Sequence, residues 1–183
     1  MPSLFMTLVG ATPKTRNTEQ HDVFFGIADS VAELVPDLIS FWPEAADKIH
    51  LDAWRTVTNV NGYKVEVVAA GKNSGVIKLF FINLGGYKPN EFEEFHYKMI
   101  IAAANKGEAI QQAKQTAFYK HTGFKGAPSH IDDKFGVDVD DIFEINDILP
   151  KSMKEKYALS ITGSKEQLPE DEIHLGYFKL DSL

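Results

Sequence analysis

Two apolar runs open the chain, and each is too short for a helix. The first run, 4–9, ends at Gly10, and the second run, 21–28, is rich in Val, Phe and Ile. Short apolar runs bounded by turn residues are typical of buried strands. The pattern therefore predicts two strands joined by the polar loop at 11–20.

A helical pattern follows the second strand. Ser30 and Glu33 have the spacing of a capping box, and apolar residues then recur at helical intervals as far as Trp42. Pro36 indicates that this helix is short or kinked. Further along, Asn61-Gly62 has the residues of a type I′ turn, which predicts a hairpin between 48–57 and 63–68. One unit of the chain thus reads as strand, strand, helix, strand, strand.

The same pattern recurs later in the chain. A glycine precedes a histidine by 11 positions three times, in the pairs Gly10 and His21, Gly85 and His96, and Gly163 and His174. Residues 4–35 align on 79–110 without a gap, and the register resumes after five extra residues in the second copy. Asn105, with Glu108 three residues on, replaces the Ser30 cap. We interpret the chain as two copies followed by a partial third at 157–180.

The predicted fold class is α+β, with two tandem pseudo-symmetric ββαββ modules, antiparallel or mixed sheets, and a C-terminal β-hairpin. The first repeat is predicted at 1–69, a small polar linker at 70–75 and the second repeat at 76–149. Residues 150–183 form a C-terminal extension that carries the partial third hairpin. An edge strand in each half can pair with another chain, so the candidate assembly is a homodimer.

Histidines and carboxylates are predicted to meet at one edge of each sheet. Strands joined by a right-handed crossover through a helix run parallel, so His21 and His50 should fall at the same end. Residues two apart on a strand share a face, so Glu19 joins His21 and Asp52 joins His50. The second copy repeats this set, and it is the candidate metal site of the sequence: Glu94, His96, His130 and Asp132. The first-copy residues are its equivalents.

Two imidazoles with one or two carboxylates suit a divalent zinc, manganese or iron ion, which is the candidate cofactor. The same residues also have a structural interpretation, because a carboxylate beside a histidine fixes its tautomer with no metal present. The third copy has Glu172 and His174 but no H-x-D partner, and no motif such as H-E-x-x-H concentrates the ligands. The pattern favours histidine–carboxylate pairs that hold the strand ends in place, and the metal site remains the alternative.

Composition narrows the classes of function. A formal charge of −7 and a pI near 5.3 argue against nucleic acid as a partner. The absence of cysteine excludes a disulfide framework, a thiolate metal site and a cysteine nucleophile. No window approaches the ~20 apolar residues of a membrane span, and the N-terminal run has no basic leader. A cytoplasmic location without membrane contact is expected.

Four further runs of the sequence are distinctive: EQHDVFFGIA, FWPEAADKIHLDAW, INLGGYKPNEFEEFHYKM and AFYKHTGFKGAPSHIDDKFGVDVDDIFEI. They resemble a bacterial family of one- or two-copy domains known only as a domain of unknown function. The resemblance covers most of residues 4–149. It implies a duplicated domain and brings no activity, cofactor or catalytic residue.

Two functions remain open at this point. The first is a cytoplasmic, non-catalytic binding or assembly module for a small-molecule or protein partner, which the repetition and the lack of a sharp catalytic motif favour. The second is a metal-dependent, hydrolytic enzyme that uses the His and carboxylate set of the second copy. The sequence identifies no catalytic residue.

Overall fold

The structure is a computed structural model that describes residues 1–45, 47–72, 75–116, 123–124, 127–128, 130–131 and 142–183, with backbone only at the three short pairs. The strands are β1 (Ser3–Ala11), β2 (Gln20–Ala28), β3 (His50–Thr56), β4 (Asn59–Val60), β5 (Tyr63–Ala69), β6 (Lys78–Tyr87), β7 (Glu94–Ala103), β8 (Gly123–Phe124), β9 (Ala127–Pro128), β10 (His130–Ile131), β11 (Ile142–Glu144), β12 (Tyr157–Gly163) and β13 (His174–Lys179). The α-helices are α1 (Val35–Phe41), α2 (Lys106–Ala113), α3 (Ile145–Ile148) and α4 (Lys151–Lys154), and 3₁₀ helices lie at Val31–Leu34, Pro43–Ala45 and Leu180–Ser182.

The chain forms two compact units. The first unit combines Met1–Ser74 with Leu149–Leu183, and the second is Gly75–Ile148. The C-terminal residues therefore belong with the N-terminal ones. The fold is α+β with mostly antiparallel sheets and few helices.

The first sheet of the first unit has the order β13-β3-β1-β2. The central strand β1 is antiparallel to both β2 and β3, so β2 and β3 run parallel to each other. This confirms the prediction that the strands before and after the helix are parallel, although β1 lies between them. The apolar pattern of β1 has its physical counterpart in the burial of Leu4, Phe5 and Val9.

The helical segment after β2 packs closely against that strand. A Cβ built on Gly26 of β2 would lie 2.7 Å from Cδ2 of Leu34, so a larger residue at position 26 would force the Leu34 side chain to move. The segment starts after Ser30, as predicted, but as a 3₁₀ helix. Pro36 falls in the first turn of α1, where its missing N–H costs no helical hydrogen bond.

The predicted turn at Asn61-Gly62 is confirmed, but its predicted partner strands are wrong. Asn61 and Gly62 both have positive φ, 38° and 87°, as a type I′ turn requires. The turn joins β5 to the short β4, in a second sheet of order β12-β5-β4. Strand β3 cannot pair with β5, because β1 and β13 occupy its two edges in the first sheet.

The predicted C-terminal hairpin is also wrong. Strand β12 pairs with β5 along its whole length, from Tyr157 opposite Ala69 to Gly163 opposite Tyr63. Strand β13 pairs with β3 in the other sheet. Each strand extends a different sheet, since each sheet offers an unpaired edge that a strand can complete.

The second unit is built around β6. Strand β7 pairs with β6, and the short strands β10 and β11 pair with β6 as well. Its buried core includes Phe80, Ile82 and Leu84 of β6 with Ala109 of α2. The predicted Asn105 cap of α2 is confirmed, because its side chain accepts a hydrogen bond from the Glu108 backbone N–H at 3.0 Å. The tandem ββαββ pseudo-symmetry of the two halves stays a prediction.

Across the described ranges, the helices are too short or too polar for any of them to span a bilayer.

Candidate functional site

Gly10 is the register partner of two histidines. On β1 it lies opposite His21 of β2 on one side and opposite His50 of β3 on the other. Residues directly opposite each other on neighbouring strands project to the same face, so both imidazoles lie on the face where Gly10 has no side chain. A Cβ on Gly10 would overlap Oδ2 of Asp52 and lie 2.6 Å from Nε2 of His50. The space above Gly10 is therefore filled by these neighbours.

Four side chains meet there, and we call Glu19, His21, His50 and Asp52 the Gly10 cluster. Nε2 of His21 is 3.1 Å from Oδ2 of Asp52 and 3.6 Å from Oε2 of Glu19. Nε2 of His50 is 3.0 Å from Oε1 of Glu19 and 3.4 Å from Oδ1 of Asp52. Each carboxylate thus faces both imidazoles, one oxygen to each. The prediction that the first-copy residues converge at one sheet edge is confirmed.

His50 is the buried residue of the cluster, and the other three are exposed to different degrees. The side chain of His50 is 4% exposed and that of Asp52 is 26% exposed, whereas His21 and Glu19 are 39% and 41% exposed. Within the described part of the chain, Nε2 of His50 and Oδ2 of Asp52 are buried without a hydrogen bond. Their distances to neighbouring atoms are short enough for hydrogen bonding, so the orientation of the groups is what prevents it. A buried polar atom left in this way costs about 1–3 kcal/mol.

The contact made by the other ring nitrogen of His50 favours one tautomer. Nδ1 lies 3.3 Å from the backbone carbonyl oxygen of Lys48. A carbonyl oxygen can only accept, so a hydrogen bond at this contact requires a proton on Nδ1. In the neutral ring Nε2 then carries a lone pair, and oxygens of Glu19 and Asp52 lie 3.0 and 3.4 Å from this nitrogen.

Asp52 reaches the cluster through an irregularity in β3. Val9 of β1 pairs with Leu51 and Leu8 pairs with Ala53, so Asp52 is an extra residue in the ladder. A bulge of this kind bends the strand and re-aims the side chain it carries. The H-x-D spacing placed Asp52 near His50 correctly, but no local residue signal identifies the bulge.

The second-copy candidates share the same register but are only partly described. Gly85 of β6 lies opposite His96 of β7 and opposite His130 of β10. Glu94 accepts a hydrogen bond from the Tyr87 hydroxyl at 2.5 Å. Asp132 and the side chain of His130 lie outside the described residues. The site of Glu94, His96, His130 and Asp132 therefore stays a prediction.

Glu172 and His174 form the third Glu-x-His pair, and they lie just before β13 and at its first residue. Tyr177 lies further along the same strand. The imidazole of His174 stacks on Trp54 with ring centroids 3.8 Å apart. The ring of Tyr177 stacks on His50 with centroids 4.1 Å apart and an interplanar angle of 28°. The sequence did not single out Tyr177, because its contact with His50 depends on the pairing of β13 with β3.

The Gly10 cluster is a contact cluster rather than a preformed metal centre. Among the residues that the structure describes, no group of three or more His, Cys, Asp or Glu side chains is arranged to hold a metal ion as it stands. The nitrogens and oxygens of the cluster instead touch one another directly.

Comparisons with known proteins show a fold and no activity. The family described as Domain of Unknown Function (DUF1543) matches residues 16–67, a range that includes all four residues of the Gly10 cluster. The crystal structure of a protein Il1583 from Idiomarina loihiensis is similar over 98% of this chain and 99% of that chain, with a TM-score of 0.61 and 21% sequence identity. At this identity the likeness shows the fold alone. No curated protein matches the chain.

Proposed function

We propose that the chain is a cytoplasmic, non-catalytic binding module built from a duplicated domain, and that it binds a divalent zinc, manganese or iron ion at the Gly10 cluster. One observation carries the proposal. The buried Nε2 of His50 lies 3.0 and 3.4 Å from oxygens of Glu19 and Asp52 and makes no hydrogen bond in the described residues.

A cation between these atoms resolves the electrostatic conflict. An unprotonated nitrogen this close to two carboxylates is repelled by both, and burial strengthens the repulsion because little water screens it. A proton on Nε2 needs an oxygen along the N–H direction, and the cluster offers none with that alignment. A metal ion would be bound by the nitrogen lone pair and the carboxylate oxygens together, once small side-chain rotations direct these atoms to one point.

The spacing of the donor atoms suits one ion after a small adjustment. Two ligands that are each ~2.1 Å from an ion with tetrahedral geometry lie about 3.4 Å apart. The nitrogen-to-oxygen separations in the cluster are 3.0–3.6 Å. Because the atoms are in direct contact, entry of an ion requires side-chain rotation. Glu19 and His21 are the exposed residues that can rotate, while His50 and Asp52 stay in place.

The number of protein ligands supports binding rather than catalysis. Structural zinc sites have four protein ligands, whereas catalytic sites have three and leave one position for water or substrate. Glu19, His21, His50 and Asp52 would complete a four-ligand set. The hydrolytic alternative needs one of them to stay away from the ion.

The shared register of Gly85 with His96 and His130 supports a second ion in the second copy, with Glu94 and Asp132 as the remaining ligands. We also propose that the chain binds a small-molecule or protein partner and that it forms a homodimer.

The proposal is tested by calorimetric titration of chelator-treated full chain with zinc, manganese and iron(II). We expect at least one equivalent of one metal to bind, and we expect His21→Ala and Glu19→Gln each to remove one equivalent. Glu44→Gln changes an exposed carboxylate outside the cluster and should bind as the wild type does. Failure of all three metals to bind near stoichiometry would contradict metal binding. Turnover of ester or phosphoester substrates by the loaded protein would contradict the non-catalytic assignment.

A further inference from the structure

We infer that Tyr177 is a positioning residue of the Gly10 cluster, which holds the His50 imidazole so that Nε2 faces the other three ligands. The inference rests on the proposed function, and it concerns a residue outside the four-ligand set.

The stacked ring of Tyr177 shields His50 from solvent, whereas Tyr177 itself stays largely exposed. The two ring centroids are 4.1 Å apart with a 28° interplanar angle, yet Tyr177 remains 64% exposed while the side chain of His50 is 4% exposed. Tyr177 therefore covers one face of the imidazole. Nδ1 contacts the Lys48 carbonyl, and Nε2 lies above Gly10. These contacts restrict rotation of the ring and leave Nε2 directed into the cluster.

The backbone of β13 is shaped to bring Tyr177 to this position. Leu175 pairs with Ala53 and Phe178 pairs with Leu51, so Gly176 and Tyr177 together lie opposite the single residue Asp52. Gly176 has a φ of 149°, which side-chain-bearing residues rarely adopt. The irregularity of β13 thus coincides with the bulge of β3 that carries Asp52. Both irregularities lie beside the cluster.

Contacts that do not involve Tyr177 hold β13 and the segment before it in place. The carboxylate of Asp171 accepts hydrogen bonds from the Thr58 backbone N–H at 3.1 Å and from the Thr58 hydroxyl at 2.5 Å. His174 stacks on Trp54, which lies two residues after Asp52 on β3. The strand should therefore keep its place when the Tyr177 ring is removed, and the effect of the ring on the site can be measured by itself.

Groups that fix the orientation of a ligating histidine typically change metal affinity by about 10–100-fold. The contact here is between ring faces and does not use the hydroxyl, so phenylalanine should replace tyrosine. Alanine should leave one face of His50 open to water and allow the imidazole to turn away from the cluster.

The experiment compares Tyr177→Ala, Tyr177→Phe and Leu175→Ala in the full chain. Leu175 is on the same strand and 76% exposed, which makes it the matched control. Zinc affinity is measured by competition with a chromophoric chelator, and the visible absorption of the cobalt(II)-loaded protein reports the ligand geometry. We expect Tyr177→Ala to weaken zinc binding by about 10-fold or more and to alter the cobalt spectrum. Tyr177→Phe and Leu175→Ala should resemble the wild type.

The possible results separate this inference from the function on which it rests. A wild type that binds no zinc overturns the proposed function and the inference together. A wild type and a Tyr177→Ala variant with equal affinity and equal cobalt spectra overturn the inference alone. An affinity lost equally in Tyr177→Phe, or equally in Leu175→Ala, also overturns it, because the effect would then belong to the hydroxyl or to the strand.

Discussion

Gly10 and His50 are register partners on adjacent strands, and a Cβ on Gly10 would lie 2.6 Å from Nε2 of His50. The same Cβ would overlap Oδ2 of Asp52. The missing side chain at position 10 thus makes room for an imidazole and a carboxylate against the backbone of the central strand.

Replacing Gly10 by alanine should therefore disrupt the cluster. We expect Gly10→Ala to lower the free energy of unfolding by about 1–3 kcal/mol, because an added methyl group in a filled space forces its neighbours to move. Zinc binding should be lost at the same time. Gly163→Ala is the matched control, since the nearest atom to its added Cβ is 3.9 Å away. Urea unfolding of both variants makes the comparison, and equal effects would show that the space above Gly10 is not restrictive.

The stability of the metal-free protein distinguishes the metal-site interpretation of the Gly10 cluster from the structural interpretation. Glu19→Gln replaces the carboxylate beside Nε2 of His50 by a neutral amide, and because this exposed side chain can rotate, its N–H can turn to donate to the nitrogen lone pair. We expect the metal-free variant to be more stable than the wild type by about 1 kcal/mol, the contribution of one hydrogen bond. Its zinc affinity should fall.

Urea unfolding in the presence of a chelator measures this change, with Glu44→Gln as the neutral control. If Glu19→Gln instead destabilises the metal-free protein, the Glu19 carboxylate stabilises the strand ends as a structural partner of the histidines. That result would favour the structural interpretation over a bound metal.

The two helix starts should respond differently to loss of their capping residues. The Asn105 side chain accepts a hydrogen bond from the Glu108 backbone N–H at 3.0 Å, and Glu108 accepts in return from the Ala104 backbone N–H at 3.1 Å. Asn105→Ala should cost about 1 kcal/mol of stability. Ser30→Ala should cost less, because in the described residues the Ser30 side chain makes no capping hydrogen bond. Unfolding midpoints of the two variants test this order, and equal losses would contradict it.

The ion pair between Lys78 and Glu144 predicts a pH effect in the second unit. Lys78 Nζ lies 2.8 Å from Oε2 of Glu144, and this hydrogen bond, with the negative charge of the carboxylate, raises the pKa of Lys78 above 10.5. A raised lysine pKa means that the folded protein binds the proton more tightly. The stabilisation is therefore complete below pH 10.5 and is lost as the pH rises through the folded value.

Unfolding midpoints of the wild type and Lys78→Gln should accordingly differ slightly at pH 9 and converge at strongly alkaline pH. The difference should be small, because Lys78 is half exposed and surface pairs contribute little. A difference that persists after Lys78 has lost its proton would mean that the side chain acts through packing and not through its charge.

The sequence predicted local features of the fold and the meeting of the cluster residues. Positive φ at Asn61-Gly62 follows from the residue types of the turn, and the convergence of His21 with His50 follows from strand direction. The rule that residues two apart on a strand share a face predicted Glu19 and Asp52 beside them, although Glu19 lies one residue before β2 and Asp52 lies at the bulge of β3. Each of these inferences depends on short-range geometry or on a topological rule.

The features that the sequence did not predict depend on pairing between distant strands. Strands β12 and β13 extend different sheets, although their sequences resemble a hairpin, because each fills an open edge formed by residues far away in the chain. The bulge at Asp52 belongs to the pairing of β1 with β3, and the stack of Tyr177 on His50 depends on the pairing of β13 with β3. A bulge of one residue has no characteristic residue type, so the pattern of apolar and polar positions does not reveal it.

Anomalous diffraction can show whether the Gly10 cluster binds a divalent metal ion. Crystals of the full chain grown with stoichiometric zinc are measured above and below the zinc absorption edge. We expect an anomalous peak ~2.1 Å from Nε2 of His50 and from Nε2 of His21, with oxygens of Glu19 and Asp52 as the other ligands. A map without a peak between these two nitrogens, in crystals that contain zinc, would contradict it.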